Sequence, residues 1–400
     1  MSDSPSDARW NVAGWRLAVI LALSVLPIFL EGFDGQLFFF DAPYIMQNIG
    51  APATLIGLAA SAFAIGIVVT SFLGGYLFDR YSAKSVILIS LAVFSIFTAL
   101  TGLATSYFEI LTYRLLVGIG IGLFQTSILS FLGYLRPSWR ARLLSLFGIF
   151  FGIGMAVAPA VGAAFLPGYA DAFLMSGALG IISLALFLAF VPGRPVHAAG
   201  RKISLSSQLN MDLALLMTAA MAFGVAFFAF ESYISDYLIH GLSLPAAAAA
   251  MSMSLFGIGA ILSAEAFGFA SDRYGRKPVL LAGGAMLALS SGILFAPGVR
   301  MWISSAAALA FVFGAGYAAL VGNVTAAAQD VVDERWIGAA TGLVFTTYNV
   351  GTILGGPLMG ILLIDGFHVA GLSTIFVPSV AILIIISFLR LRRRNGEIRS

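Results

Sequence analysis

The sequence predicts an all-α integral membrane protein of twelve transmembrane helices, arranged as two six-helix pseudo-symmetric bundles. Three observations predict it. Hydrophobic residues make up 60% of the chain and charged residues 10%, against roughly a quarter charged in soluble domains. A mean hydropathy of +1.00 over 400 residues cannot be hidden in one water-soluble core, so lipid is the solvent. The chain also repeats itself. GYLFDRYSAKSVI at Gly75 to Ile87 returns, altered, as GFASDRYGRKPVL at Gly268 to Leu280, with Asp79 and Asp272, Arg80 and Arg273, and Lys84 and Lys277 each 193 residues apart. One unit of several helices has been used twice.

Apolar runs of about 20 residues, the length that crosses a bilayer, place the first six helices at about 15 to 40, 53 to 78, 85 to 105, 107 to 135, 143 to 166 and 171 to 192. The second six fall at about 210 to 240, 246 to 270, 278 to 297, 302 to 330, 338 to 364 and 369 to 390. Between the halves, the segment from Pro192 to Ser207 is the only polar linker long enough to join them. The predicted organisation is a bundle at 1–192, a cytoplasmic linker at 193–209, a second bundle at 210–390 and a basic tail at 391–400. Alternate loops carry all but Arg114 and Arg300 of the 21 Lys and Arg residues. Such a bias over short loops puts both termini in the cytoplasm, in a plasma membrane of the bacterial inner-membrane kind. Met1 to Arg16 reads as a short cytoplasmic tail before an uncleaved helix.

Composition excludes several classes. The absence of cysteine removes disulfides, thiol nucleophiles and thiolate metal sites. His197, His240 and His368 sit near predicted helix ends without ligand-like spacing and read as ordinary loop or interface residues. No nucleophile and base pair, metal cluster or phosphate loop can be assembled, so neither enzyme nor cofactor is expected. The basic tail after Leu389 reads as a topology anchor for a lipid surface, not as a nucleic-acid site.

Small residue, acid, Arg, turn residue and a cluster of bases between two hydrophobic segments resembles the loop signature between helices 2 and 3 of the major facilitator superfamily. The copy at Gly268 matches it at every characteristic position, and the copy at Gly75 has Ser82 and Ala83 where the family usually has Gly and Arg. The resemblance implies the facilitator fold, a monomer that works by alternating access, and a small-molecule substrate moved with protons. Repeated halves place the substrate site between them near the bilayer midplane. The repeated loop is then a gate. Asp79 ends helix 2 on the side where helix 11 begins near Gly338 with free backbone N–H groups that favour a carboxylate, and Asp272 stands likewise toward the start of helix 5 near Leu143. Arg80, Arg273, Arg276 and Lys277, with Gly275 as the turn residue, would add ion pairs in the closed state; setting topology is their plainer role. Glycines in helix 4 (Gly118, Gly120, Gly122), helix 5 (Gly148, Gly152, Gly154) and helix 11 (Gly351, Gly355, Gly356, Gly360), with Pro159 and Pro357, fit either bilayer packing or gating.

Ionisable groups inside helices mark a pathway more sharply, because a charge in the membrane is costly. Helix 1 reads PIFLEGFDGQLFFFDAP, and Glu31 and Asp34, three apart, share a face. Neighbouring acids at low dielectric resist double ionisation, which suits loading and releasing a proton. Glu231 in helix 7 is the counterpart of Asp34, 197 residues on, and Glu265 near the cytoplasmic end of helix 8 is either functional or a brace. Arg114, in RLLVGIGIG, resembles the helix 4 motif of proton-coupled facilitators. It can pair with Asp34 or Glu31, meet an anionic substrate group, or simply snorkel.

Glu31-Gly32-Phe33-Asp34 followed by Ala42-Pro43 resembles the helix 1 signature of the aromatic acid:proton symporters. This chain departs from that family at Tyr134, where an acid is usual, and at Asn349, where an Arg is usual. Gln36, Gln125, Tyr233, Asn323, Tyr348 and Asn349 are the further polar residues expected to line a cavity, with interhelical bonding as their alternative. The expected function is proton-coupled symport of a small organic carboxylate, aromatic ones included. The alternative is proton-antiport efflux of amphiphilic or cationic compounds.

Overall fold

The computed structural model describes residues 14–80, 83–135, 140–191, 210–332 and 337–390. Its helices are α1 (Gly14–Asn48), α2 (Ile56–Arg80), α3 (Ala83–Gly102), α4 (Tyr107–Leu135), α5 (Arg140–Phe165), α6 (Tyr169–Phe190), α7 (Met211–Asp236), α8 (Ala246–Tyr274), α9 (Arg276–Leu294), α10 (Ile303–Asp330), α11 (Ile337–Leu362), α12 (Phe367–Gly371) and α13 (Val377–Ser387). A π-helical turn at Leu372–Phe376 joins α12 and α13 into one span. Twelve spans among the described residues are long and apolar enough to cross a membrane, and none of these residues forms a strand. Lipid offers no partner to a backbone amide, so every amide must pair within its own helix.

Two boundaries differ from expectation in ways that matter for chemistry. Helix 1 does not stop at residue 40: α1 runs through Pro43 to Asn48, and Ile45 and Met46 are buried. A proline removes one backbone bond, a loss that packed membrane helices absorb, so Asp41 belongs inside the span. Helix 8 does not stop at residue 270 either. It carries Asp272 and Arg273 in its last turn and ends at Gly275, whose φ of 93° and ψ of 163° suit glycine alone.

The chain divides into two compact units, Met1–Gly200 and Arg201–Ser400. In the first, α1 packs on α5 and α6, α2 on α4, and α3 on α4 and α6. In the second, α7 packs on α11 and α13, α8 on α10, and α9 on α10 and α13, which is the same pairing scheme. The glycines explain how the pairs come so close. A Cβ on Gly118 would strike the Phe63 carbonyl in α2, and one on Gly314 would strike the Phe256 carbonyl in α8. For Gly118, Gly120, Gly122, Gly154, Gly351 and Gly355 the structure thus shows backbone-to-backbone packing within a unit. Gly148, in contrast, faces open space.

The repeated loop has a job within each unit. Lys84 Nζ donates to the Leu188 carbonyl at 2.6 Å, at the end of α6. Lys277 Nζ donates to the carbonyls of Ser387 and Leu389 at 2.7 and 2.8 Å, at the end of α13. Both lysines, 193 residues apart, place a cation on the C-terminal carbonyls of the last helix of their own unit. Replacing Lys277 with Met removes that cation, and the expected cost is about 0.3–1 kcal/mol, read as a small drop in thermal unfolding temperature.

Candidate functional site

In the first unit, α1 and α4 bring one acid and one base together. Arg114 Nη1 donates to Asp34 Oδ2 at 2.9 Å, and both side chains are 0% exposed. Thr98 Oγ1 on α3 donates to Asp34 Oδ1 at 2.8 Å, so both carboxylate oxygens are satisfied. The guanidinium carbon lies 4.2 Å from the Phe38 ring centroid and 4.3 Å from that of Phe63. Two aromatic faces stabilise the cation where water cannot. They leave the edges of the guanidinium for hydrogen bonds, and Arg114 Nε and Nη2 meet no acceptor. Of the two pairings open to Arg114, the structure holds the one with Asp34. Glu31, one turn earlier on α1, is buried, and its Oε2 has no hydrogen-bond partner.

The second unit answers with aromatics. Glu231 is buried on α7, within electrostatic reach of Tyr317 on α10 and Tyr348 on α11. Around it Phe227 and Tyr317 have ring centroids 4.5 Å apart, and Phe223 and Tyr348 5.4 Å apart. Tyr317 and Tyr348 are half-buried, so the cluster keeps a polar edge.

Other expected residues take less direct positions. Gln36 is buried on α1 and Gln125 half-buried on α4. Tyr233 is 0% exposed, sealed among helices. Asn323 Nδ2 donates to the Ala319 carbonyl at 3.0 Å and Asn349 Nδ2 to the Phe345 carbonyl at 2.8 Å, each one turn back on its own helix. Those amides bond their own backbone, the common way for a polar side chain to satisfy itself in lipid. Glu265 is exposed on α8.

In the repeated loop of the second unit, Arg276 Nη1 donates to Asp272 Oδ1 at 2.8 Å and to Ser271 Oγ at 2.9 Å, while its Nε reaches Asp330 Oδ2 at 3.2 Å. This joins the α8–α9 corner to the end of α10. Arg273 lies over the Tyr274 ring at 5.7 Å. The side chains of Asp79 and Arg80, that of Leu143, the linker from Pro192 to Leu209, and residues after Arg390 fall outside what the structure describes.

Asp41, Thr98 and the two rings flanking Arg114 are not among the residues that the sequence singles out. Asp41 did carry a signal, since it sits two turns after Asp34 in an apolar run. Thr98, Phe38 and Phe63 had none, because such residues are common in any membrane helix.

Twelve spans in two units built alike, with an ion pair sealed inside the first, define a carrier of the membrane. The Major Facilitator Superfamily profile matches residues 25–264 and 216–399, and the chain belongs to that family. It is 26% identical over 369 residues to the hexuronate transporter of Bacillus subtilis (strain 168), covering 86% of this chain and 87% of that one. It is 27% identical over 310 residues to the 4-hydroxybenzoate transporter PcaK of Pseudomonas aeruginosa, covering 66% and 68%. A crystal structure of a point mutant of the nucleoside transporter NupG superposes with a TM-score of 0.78 at 17% identity, covering 92% of this chain and 98% of that one. These relatives and neighbours are transporters, not enzymes.

Proposed function

We propose that this transporter is a proton-coupled symporter of small organic carboxylates. The observation that carries the reading is Arg114: fully buried, bonded to Asp34 through one nitrogen, and holding two more nitrogens without an acceptor. A buried guanidinium with free edges is a carboxylate receptor, because planar N–H pairs match carboxylate oxygens. Hexuronate and 4-hydroxybenzoate, which the two relatives are named for, both carry a carboxylate.

A proton can act through the same pair. While Asp34 is ionised, it competes with an anionic substrate for Arg114. Protonation removes that competition and keeps the net charge of the site balanced when a carboxylate arrives. Glu31 and Glu231 are assigned to the same proton-coupling set. Tyr348 and the neighbouring rings suit an aromatic or otherwise flat substrate. Asp79, Arg80, Asp272, Arg273, Gly275, Arg276 and Lys277 are assigned to the cytoplasmic gate, in an inner membrane with both termini inside. Asp79→Asn is expected to slow transport while leaving substrate affinity unchanged, as read from separate uptake and equilibrium-binding assays.

The test is uptake of labelled carboxylates into proteoliposomes under an imposed pH gradient, acid outside. Accumulation above equilibrium that collapses with a protonophore supports the reading; uptake indifferent to the gradient rejects it. A second reading, proton-antiport efflux of cationic compounds, draws on Glu231 beside Phe223, Phe227, Tyr317 and Tyr348, since a carboxylate with aromatic faces suits a cation. Ligand-induced thermal stabilisation separates the two: carboxylates must stabilise the symporter, lipophilic cations the exporter.

A further inference from the structure

The first unit holds an acid that the Asp34–Arg114 pair leaves unused. Asp41 lies seven residues after Asp34 on α1, two turns and about 10 Å along the axis, and nearly in line with it on the helix surface. It is 0% exposed, and neither Oδ1 nor Oδ2 has a hydrogen-bond donor. Asp34 is different, with Arg114 on one oxygen and Thr98 on the other. An ionised carboxylate buried without donor or counter-ion costs far more than a neutral one.

The groups that face Asp41 supply no counter-charge. On its own helix stand Tyr44 and, beyond Asp34, the acid Glu31. From α6 come Tyr169, whose hydroxyl accepts a hydrogen bond from Asn48 Nδ2 at 3.0 Å, and the exposed Asp171 in its first turn, an acid and so no counter-charge. The membrane stretch of α5, Phe147–Phe165, contains no titratable residue. On α4, Arg114 is committed to Asp34, Glu109 is bonded to Thr105 at the exposed helix start, Tyr107 donates to the Leu55 carbonyl, and the Tyr113 ring lies tilted against Phe97. The span of α3 has only Lys84, at its far end on the Leu188 carbonyl, and that of α2, up to Ser71, has none.

We propose that Asp41 is a second proton-binding site on α1, separate from the Asp34–Arg114 pair: it holds its proton while buried and gives it up when the conformational cycle admits water. One helix face then presents an ionised acid and a neutral acid two turns apart, which allows protons to enter the coupling set in sequence. The coupling role rests on the symport reading above. The existence of the proton site does not.

Infrared difference spectra of the purified protein in lipid nanodiscs test it without any substrate. At about pH 7 the wild type is expected to show a protonated-carboxyl band that loses one component in Asp41→Asn and keeps it in Asp34→Asn. Asp41→Leu, similar in size and free of any need for hydrogen bonds, repeats the measurement should the amide fold poorly. An unchanged band in both Asp41 variants overturns the proposal. In proteoliposomes, accumulation driven by a pH gradient is expected to be lost in both variants. Full accumulation in a variant that has lost that component would make Asp41 a structural acid, protonated but never releasing its proton in the cycle, and likewise overturn the proposal. A wild type that ignores the gradient rejects the symport reading instead, and the infrared result still decides the site.

Discussion

Asp34→Asn is expected to destabilise the first unit by about 3–5 kcal/mol, the usual penalty for stripping one partner from a buried ion pair. The amide has nearly the same shape, and Thr98 can still bond it, so the loss is electrostatic. Arg114 keeps its charge, at 0% exposure, with only the faces of Phe38 and Phe63 for company. Arg114→Gln is expected to fail in the mirror sense, leaving Asp34 with Thr98 alone. Thermal or denaturant unfolding of the purified variants checks both. The double variant Asp34→Asn with Arg114→Gln separates stability from function. Removing both charges restores most of the stability, because a neutral pair owes no desolvation. Transport is expected to stay lost, since neither proton acceptor nor anion receptor remains. A double variant that transports at the wild-type rate would move the site elsewhere.

Gly118→Leu is the other large effect. Gly118 follows Arg114 by one turn of α4, and a Cβ there would meet the carbonyl oxygen of Phe63, with the carbonyl carbon at 2.9 Å and the Cα at 3.1 Å. Backbone cannot rotate away as a side chain can, so α2 and α4 must separate. Even Gly118→Ala is expected to cost about 1–3 kcal/mol, and Leu more, with unfolding below the wild-type temperature as the readout. The consequence reaches the site, because the residue pushed aside carries one of the two rings flanking Arg114. Gly118→Ala is therefore expected to weaken carboxylate binding as well as stability. Gly148→Ala supplies the control. Nothing lies within 4 Å of its Cβ position, and alanine is the better helix former by about 1 kcal/mol, so stability should hold or rise.

Much of the architecture was legible before any coordinates, because hydropathy is written along the chain one residue at a time. The runs that cross the bilayer, the loops that carry the bases and the repeat near Asp79 and Asp272 all follow from local composition. Asp34, Arg114 and Glu231 were legible for a related reason: a charge among apolar residues needs a purpose to offset its cost. Local sequence ends helix 1 too early, near residue 40, since Pro43 reads locally as an ending. In lipid, with Ile45 and Met46 packed, the helix continues and takes Asp41 inside.

By itself, then, the sequence determined the twelve spans, their division into two like halves and the few ionisable residues that lipid would tolerate only for a reason. These depend on the solvent and on single residues. Tertiary structure alone decided that Arg114 pairs with Asp34 and not with Glu31, that Thr98 completes the pair, and that Phe38 and Phe63 flank the cation. It also decided that Lys84 and Lys277 bond the last helix of their own unit, while Asp41 is left without a donor. Each of these turns on which helix faces meet across tens of residues of chain, and periodicity assigns a residue to a face without naming the neighbour that the face will touch.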